Sequence, residues 1–292
     1  MNKLVHHPSW LKIKLPGGEG FTKIKTIISE NRVNTVCTEA KCPNKAECWG
    51  KGVFTFMILG DICTRNCGFC GVISGKPKET DYDEPYRVAK ISKELNLKYV
   101  VITSVDRDDL ADGGSSIFAQ TIELVRKENP FCRIEVLIPD FKADEVSLDK
   151  IIEAKPDVLA HNLETVKRLY SYVKRKSNYD HSLKVLRYSK DKGMITKSGF
   201  MVGLGETEDD IIALMDDLRS VGCDILTIGQ YLQPTKKQLP VEKYYTPEEF
   251  LRLKELGLDK GFARVESGPF VRSSYHAEES FNNSPINKIN KL

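Results

Sequence analysis

Residues 53–70 read VFTFMILGDICTRNCGFC: an apolar run, a Gly-Asp turn, then three cysteines spaced C-x3-C-x2-C. The first half predicts a buried strand, and a regular rhythm starts from it. VFTFMIL is followed by the amphipathic YRVAKISKELN, and KYVVIT by SSIFAQTIELVRKEN. RIEVLI precedes SLDKIIEA, DVLA precedes ETVKRLYSYV, ITKSGFMVG precedes EDDIIALMDDLRSV, and DILTIG closes the series. Short Val/Ile-rich runs alternating with stretches of 3.6 period indicate βαβ units, so the class is α/β with a parallel sheet of six strands. That pattern fits either a doubly wound sheet or an incomplete (β/α)8 barrel, and in both the chemistry gathers at the carboxyl ends of the strands.

The unusual polar residues fall at those ends. GDICTRNCGFC follows the first strand, TSVDRDDL the second, PDF the third, HNLET the fourth, GLGET the fifth and QYLQP the sixth. Gly, Asp and Asn also make ordinary turns, so one such loop decides nothing, but six together favour a shared site. The acidic DRDD run fits either a functional loop or a solvated face. Before the rhythm, FTKIKTIISENR predicts a short helix; after it, the Thr-Pro start and acidic first turn of TPEEFLRLKELGLDKGF predict another. The last stretch, FNNSPINKINKL, is polar enough to predict a frayed end, and His6 and His7 are expected to face solvent.

The 292 residues are 40% apolar and 29% charged, an ordinary globular composition that suits one large domain. A formal charge of +3 demands neither a nucleic-acid nor a membrane-surface partner. No apolar run approaches the roughly 20 residues that span a bilayer. The opening MNKLVHHPSW lacks the apolar core of a secretion signal and the Arg/Ser-rich length of a transit peptide, so the expected location is cytoplasmic, or that of a chain whose presequence has been removed.

Six of the eight cysteines lie between Cys37 and Cys70, whereas Cys132 and Cys223 stand alone ahead of strands and read as buried apolar thiols. Such clustering in a chain this long points to metal rather than to a disulfide framework. Cys63, Cys67 and Cys70 are one ligand short of a closed zinc site, and no H-x3-5-H pattern completes it. Three thiolates on a four-iron cluster leave one iron open, as a reactive cofactor requires. Cys37, Cys42 and Cys48, in CTEAKCPNKAEC, form a second triplet spaced C-x4-C-x5-C that is also one ligand short.

With Phe69 before the last cysteine and its place after the first strand, the CTRNCGFC triplet resembles the radical S-adenosylmethionine superfamily. The added first triplet, with PSWLK, ITSVDRDDLADGG, IEVLIPDF, HNLET, MVGLGE, QYLQP and RSSY, resembles the lipoyl synthase family over nearly the whole chain. The resemblance implies an incomplete (β/α)6 TIM-type barrel, residues 53–245, with extensions 1–52 and 246–292 covering the cluster end. It implies a sulfurtransferase that inserts sulfur at C6 and C8 of an octanoyl chain held on a lysine of a lipoyl carrier domain. The carriers would be a 2-oxoacid dehydrogenase E2 or a glycine cleavage H protein.

It further implies two 4Fe–4S clusters, two S-adenosylmethionine molecules per lipoyl group, and an electron donor such as flavodoxin or ferredoxin. Cys63, Cys67 and Cys70 would hold the radical cluster; Cys37, Cys42, Cys48 and the second serine of RSSY, Ser274, would hold an auxiliary cluster that donates the sulfur. An alkoxide is a hard ligand on a soft cluster, which suits one that must leave. Among ordinary proteins a serine in that setting is a cap or surface residue. Gly203, Gly205 and Glu206 in the fifth loop, with Thr103, Ser104, Asn162 and Glu164, are then candidate contacts to S-adenosylmethionine, though each also fits a turn or cap. Arg272 fits either a carboxylate partner or a brace for its loop.

Overall fold

The computed structural model of the protein describes residues 8–12, 15–274 and 277. The readings of His6, His7 and the polar tail lie outside the described residues. The amino-terminal segment supplies α1 (Glu19–Glu30), β1 (Asn34–Thr35), α2 (Val36–Glu39) and α3 (Lys45–Gly50). Phe21 stacks on Trp49 at 5.3 Å, which pins α1 to α3. Then come β2 (Thr55–Ile58) and a two-stranded ribbon of β3 (Ile62–Cys63) and β4 (Ile73–Ser74) that closes the loop carrying the second triplet.

From there helix and strand alternate as the rhythm predicts: α4 (Glu84–Glu94), β5 (Tyr99–Ser104), α5 (Ser115–Glu128), β6 (Arg133–Leu137), α6 (Glu145–Glu153) and β7 (Val158–Ala160). The chain continues through α7 (Tyr170–Val173), α8 (Tyr179–Asp191), β8 (Thr196–Val202), α9 (Glu208–Ser220), β9 (Ile225–Gln230), α10 (Pro247–Asp259) and β10 (Arg264–Gly268). Local chemistry starts the late helices. Thr207 and Asp210 form a capping box at α9, and Thr246 and Glu249 form one at α10 with Pro247 in its first turn.

The eight strands pair in the order β1-β2-β5-β6-β7-β8-β9-β10, all parallel except the antiparallel β1–β2 pair. A doubly wound sheet reverses its strand order at a switch point. Here the order never reverses, so every crossover lies on one side and the sheet curls into an open barrel. β10 is a seventh parallel strand where the periodicity predicts six. RVESG carries no apolar run to announce it, and its five paired positions on β9 stabilise it instead.

Alternation along each strand divides the side chains between two environments. Val100 and Ile102 of β5, with Ile134 and Val136 of β6, pack outward against the helices in the main core. Inside the arc, Lys197 Nζ donates to Glu135 Oε1 at 2.8 Å and the Tyr99 hydroxyl to Glu135 Oε2 at 2.7 Å. Lys197 and Glu135 are each 2% exposed, so the amino-terminal end of the barrel is plugged by an ion pair. Cys132 and Cys223 are buried, as expected.

Candidate active site

A cavity of about 1170 Å³ opens at the carboxyl ends of the strands, and both cysteine triplets face it. All eight cysteines are unbridged. In the second triplet the Arg65 amide donates to Cys63 Sγ at 3.4 Å, and the Cys70 carbonyl accepts from Gln238 Nε2 at 3.0 Å. Gly68 is held from both sides, its amide donating to Val173 O and its carbonyl accepting from Leu239 N.

Arg65, between the cysteines, is the anchor of this loop and only 4% exposed. It forks onto Asp108 with two bonds of 2.8 Å and onto Asp140 with bonds of 2.9 and 2.8 Å, and it also reaches Ser177 Oγ at 3.0 Å. Bidentate guanidinium–carboxylate pairs fix direction as well as distance. The DRDD run is therefore not a solvated face. Asp108 clamps Arg65, while Arg107 pairs with Asp109 and donates to Leu59 O. Glu84 completes the support by accepting from the Leu59 amide at 2.6 Å, where Leu59 and Gly60 both have positive φ.

In the first triplet, Cys37 sits on α2, Cys48 on α3, and Cys42 between them, its amide donating to Cys37 O at 3.2 Å. The two triplet loops touch at Gly71, where a Cβ would stand 2.9 Å from Ala40 O, so only glycine permits the approach. The carboxyl-terminal segment enters the same space. Asn44 Nδ2 donates to Phe270 O at 2.6 Å, and Gly229 of β9 leaves room for Val271. Ser273 and Ser274 thereby line the cavity that both triplets face.

Burial pushes the Cys63 thiol up to about 12, Cys48 up to about 12, and Cys37 and Cys70 up to about 11; Cys67 is also raised. These five thiols are thus protonated near neutral pH without metal, and metal binding must displace their protons. Among the described residues no three His, Cys, Asp or Glu side chains close on a single-ion position. The six thiols that face the cavity are the soft donors that iron–sulfur clusters take, so the chemistry of the donor sets fits 4Fe–4S clusters.

The predicted cofactor contacts divide. Phe69, Thr103, Ser104, Asn162 and Glu164 all line the cavity. Ser104 Oγ and Asn162 Oδ1 are buried without a hydrogen-bond partner among the described residues, which leaves them for a polar ligand. Thr103 Oγ1 donates to Leu137 O. Gly203, Gly205 and Glu206 do not line the cavity. Glu206 accepts from the Gly203 and Leu204 amides at 2.6 and 2.9 Å, and a Cβ on Gly203 would meet Gln230 Nε2 at 2.3 Å. That loop is packed and capped by its own residues. Arg272 braces its own loop, NH1 donating to Val271 O at 2.6 Å, and it makes no ion pair among the described residues.

Sequence reasoning missed Arg65, Asp140, Lys174 and Gly229. Lys174 Nζ donates to Asn162 O at 2.7 Å and faces the cavity. Beside it His161 is fully buried, and burial, with Lys174 adding to it, holds its pKa down to about 3. The neutral ring donates from Nδ1 to Ile138 O and leaves Nε2 to accept from Ser182 Oγ. The local signal for Arg65 and Asp140 was their position after strands; Lys174 follows α7 and Gly229 lies within β9, so neither carried that signal.

Residues 2–42 match the N-terminal domain of lipoyl synthase of the radical SAM family, and residues 57–218 match the radical SAM superfamily. A lipoyl synthase of Rubrobacter xylanophilus is 56% identical over 93% of this chain and 85% of its own length. The chain belongs to the lipoyl synthase family. A mitochondrial lipoyl synthase of Nematostella vectensis is 52% identical over 93% of this chain and 94% of its own. Lipoyl synthases are radical S-adenosylmethionine enzymes of lipoate biosynthesis that insert sulfur into octanoyl groups, with 4Fe–4S clusters and S-adenosylmethionine as cofactors. The crystal structure of methylornithine synthase covers 80% of this chain and 79% of its own at a TM-score of 0.54 and 16% identity, a likeness of fold alone. No helix among the described residues is long and apolar enough to cross a membrane.

Proposed function

We propose that this lipoyl synthase inserts two sulfur atoms, at C6 and C8 of an octanoyl group on a carrier-domain lysine, and that its two cysteine triplets divide the work. The supporting observation is that both triplets and Ser274 line one cavity. Cys63, Cys67 and Cys70 would hold a four-iron cluster, which supplies the electron that cleaves S-adenosylmethionine to a radical able to take hydrogen from an unactivated C–H bond. Cys37, Cys42, Cys48 and Ser274 would hold the sulfur-donating cluster, a co-substrate consumed as two C–H bonds are replaced by two C–S bonds.

The chain's own residues supply position and exclusion. Arg65 and its aspartates hold the second triplet loop still. Ser104 Oγ and Asn162 Oδ1, unpaired and buried, face a polar ligand, and Lys174 offers a cation for its anionic group. Met57, Leu137 and Met201 give the cavity an apolar wall for an eight-carbon chain. A dry wall also keeps a radical from reacting with water. The carrier would be a 2-oxoacid dehydrogenase E2 domain or a glycine cleavage H protein, with flavodoxin or ferredoxin as electron donor, and unbridged thiols suit a reducing compartment such as the cytoplasm.

Replacing each triplet separately with alanine tests the division. Anaerobically prepared protein is expected to hold about eight irons per chain, and each variant about four. Loss of Cys63, Cys67 and Cys70 abolishes 5′-deoxyadenosine formation. Loss of Cys37, Cys42 and Cys48 abolishes thiolated product and leaves cofactor cleavage in place. Equal loss of cleavage in both folded variants overturns the reading.

A further inference from the structure

Along one side of the cavity mouth, the outer edge of the second triplet loop is bordered by cations that have no acidic partner among the described residues. Gly71 touches Ala40, next to Lys41, and a Cβ there would stand 3.1 Å from Pro234 Cβ, close in sequence to Lys236 and Lys237. Gly68, three residues earlier, similarly abuts Leu239 and the Tyr172 carbonyl of α7, the helix that leads into the turn carrying Arg175 and Lys176. Lys176 Nζ reaches Thr64 O at 3.3 Å, which closes the band against the same loop. Lys41, Arg175, Lys176, Lys236 and Lys237 are all exposed, and none makes an ion pair among the described residues. By contrast, Lys150, Lys167, Lys184, Lys190 and Lys192, on and around the outer helices, each pair with a carboxylate. Two large apolar side chains stand out within the band, Ile73 at 62% and Tyr172 at 55% exposed.

Unpaired cations around exposed apolar groups form a surface that recognises an acidic protein face, because the charges steer the partner and the apolar groups anchor it. Lys41 and Lys236 also line the cavity, so a partner seated here covers its opening. We propose that this band docks the folded carrier domain through acidic residues flanking its octanoyl-lysine, so that docking delivers the arm into the cavity. The inference rests on the proposed function. A partner that only donates electrons needs proximity to the cluster, not to the opening.

The test compares two octanoyl substrates with dithionite as reductant: the folded octanoylated carrier domain and a short uncharged octanoyl-lysine peptide. In the variant Arg175→Glu/Lys237→Glu, KM for the carrier is expected to rise about ten-fold with kcat held, while KM for the peptide stays unchanged. In the unmodified enzyme the carrier's KM should rise with salt and the peptide's should not, a measurement that needs no variant. An unchanged carrier KM, or carrier and peptide shifting together, overturns the docking. So does a defect seen only when flavodoxin or ferredoxin replaces dithionite, which gives the band to the electron donor. If the unmodified enzyme converts neither substrate, the proposed function itself fails; if it converts both and the variant matches it, only the docking does.

Discussion

Gly229→Ala is the sharpest single perturbation of the proposed sulfur-donating site. Gly229 lies in β9, paired to Met201 on one side and Gly268 on the other, so the strand cannot yield. A Cβ there would stand 2.2 Å from Val271 O and 3.2 Å from Val271 C. Reaching the 3.4 Å of an ordinary contact moves the 271–274 segment by about 1.2 Å. Overpacking of this kind costs about 1–3 kcal/mol, within the roughly 5–15 kcal/mol that holds a domain folded, so the variant is expected to remain folded. Misplacement of a reacting group by about 1 Å costs on the order of 100-fold in rate. Thiolated product is therefore expected to fall about 100-fold, while 5′-deoxyadenosine formation stays within about two-fold. Iron content should drop toward that of one cluster. Gly268→Ala is the control, since its Cβ would meet Val271 Cγ2 at 3.4 Å, an ordinary contact, and it should behave as the parent. Full sulfur insertion in Gly229→Ala, or equal loss of both activities in folded protein, refutes the proposed pairing of Ser274 with the first triplet.

Two further expectations concern the scaffold. Lys197→Met strands the buried Glu135 carboxylate and should cost about 3–5 kcal/mol in urea unfolding, most of it recovered by adding Glu135→Leu; a double variant no more stable than the single one removes the ion pair as the cause. Burial raises the Glu84 carboxyl from 4.5 to about 7, against the opposing pull of the Leu59 amide. The folded pKa is raised, so the stabilisation is fully present below pH 4.5 and is lost as pH rises through 7, about 3 kcal/mol in all. Glu84→Gln should flatten the urea midpoint between pH 5 and 8 where the parent declines, and parallel profiles count against the assignment.

The parts legible in the sequence are those with local causes. Strand and helix alternation shows because each element buries a face with its own period, and the triplets show because the three cysteines of each set lie close together in the chain. The Gly-x-Gly of MVGLGET is ambiguous for the opposite reason. Glycines at 203 and 205 suit close approach to a ligand, but the approach they permit at 203 is to Gln230 and Lys243 of the same protein. Arg65 was invisible because its partners lie 43 and 75 residues away, on loops after two other strands.

The sequence alone determined the chemistry of the donor sets and the α/β class, since spacing and periodicity express short-range geometry. Whether the sheet reverses or winds one way depends on which strand pairs with which, and backbone pairing leaves no mark on the side chains. Only the tertiary structure decided that β10 joins the sheet, that Gly71 lets the two triplet loops touch, and that Asn44 and Gly229 draw Ser274 into the cavity from the far end of the chain. Those contacts bring together residues distant in sequence, and they exist only once the barrel has curled.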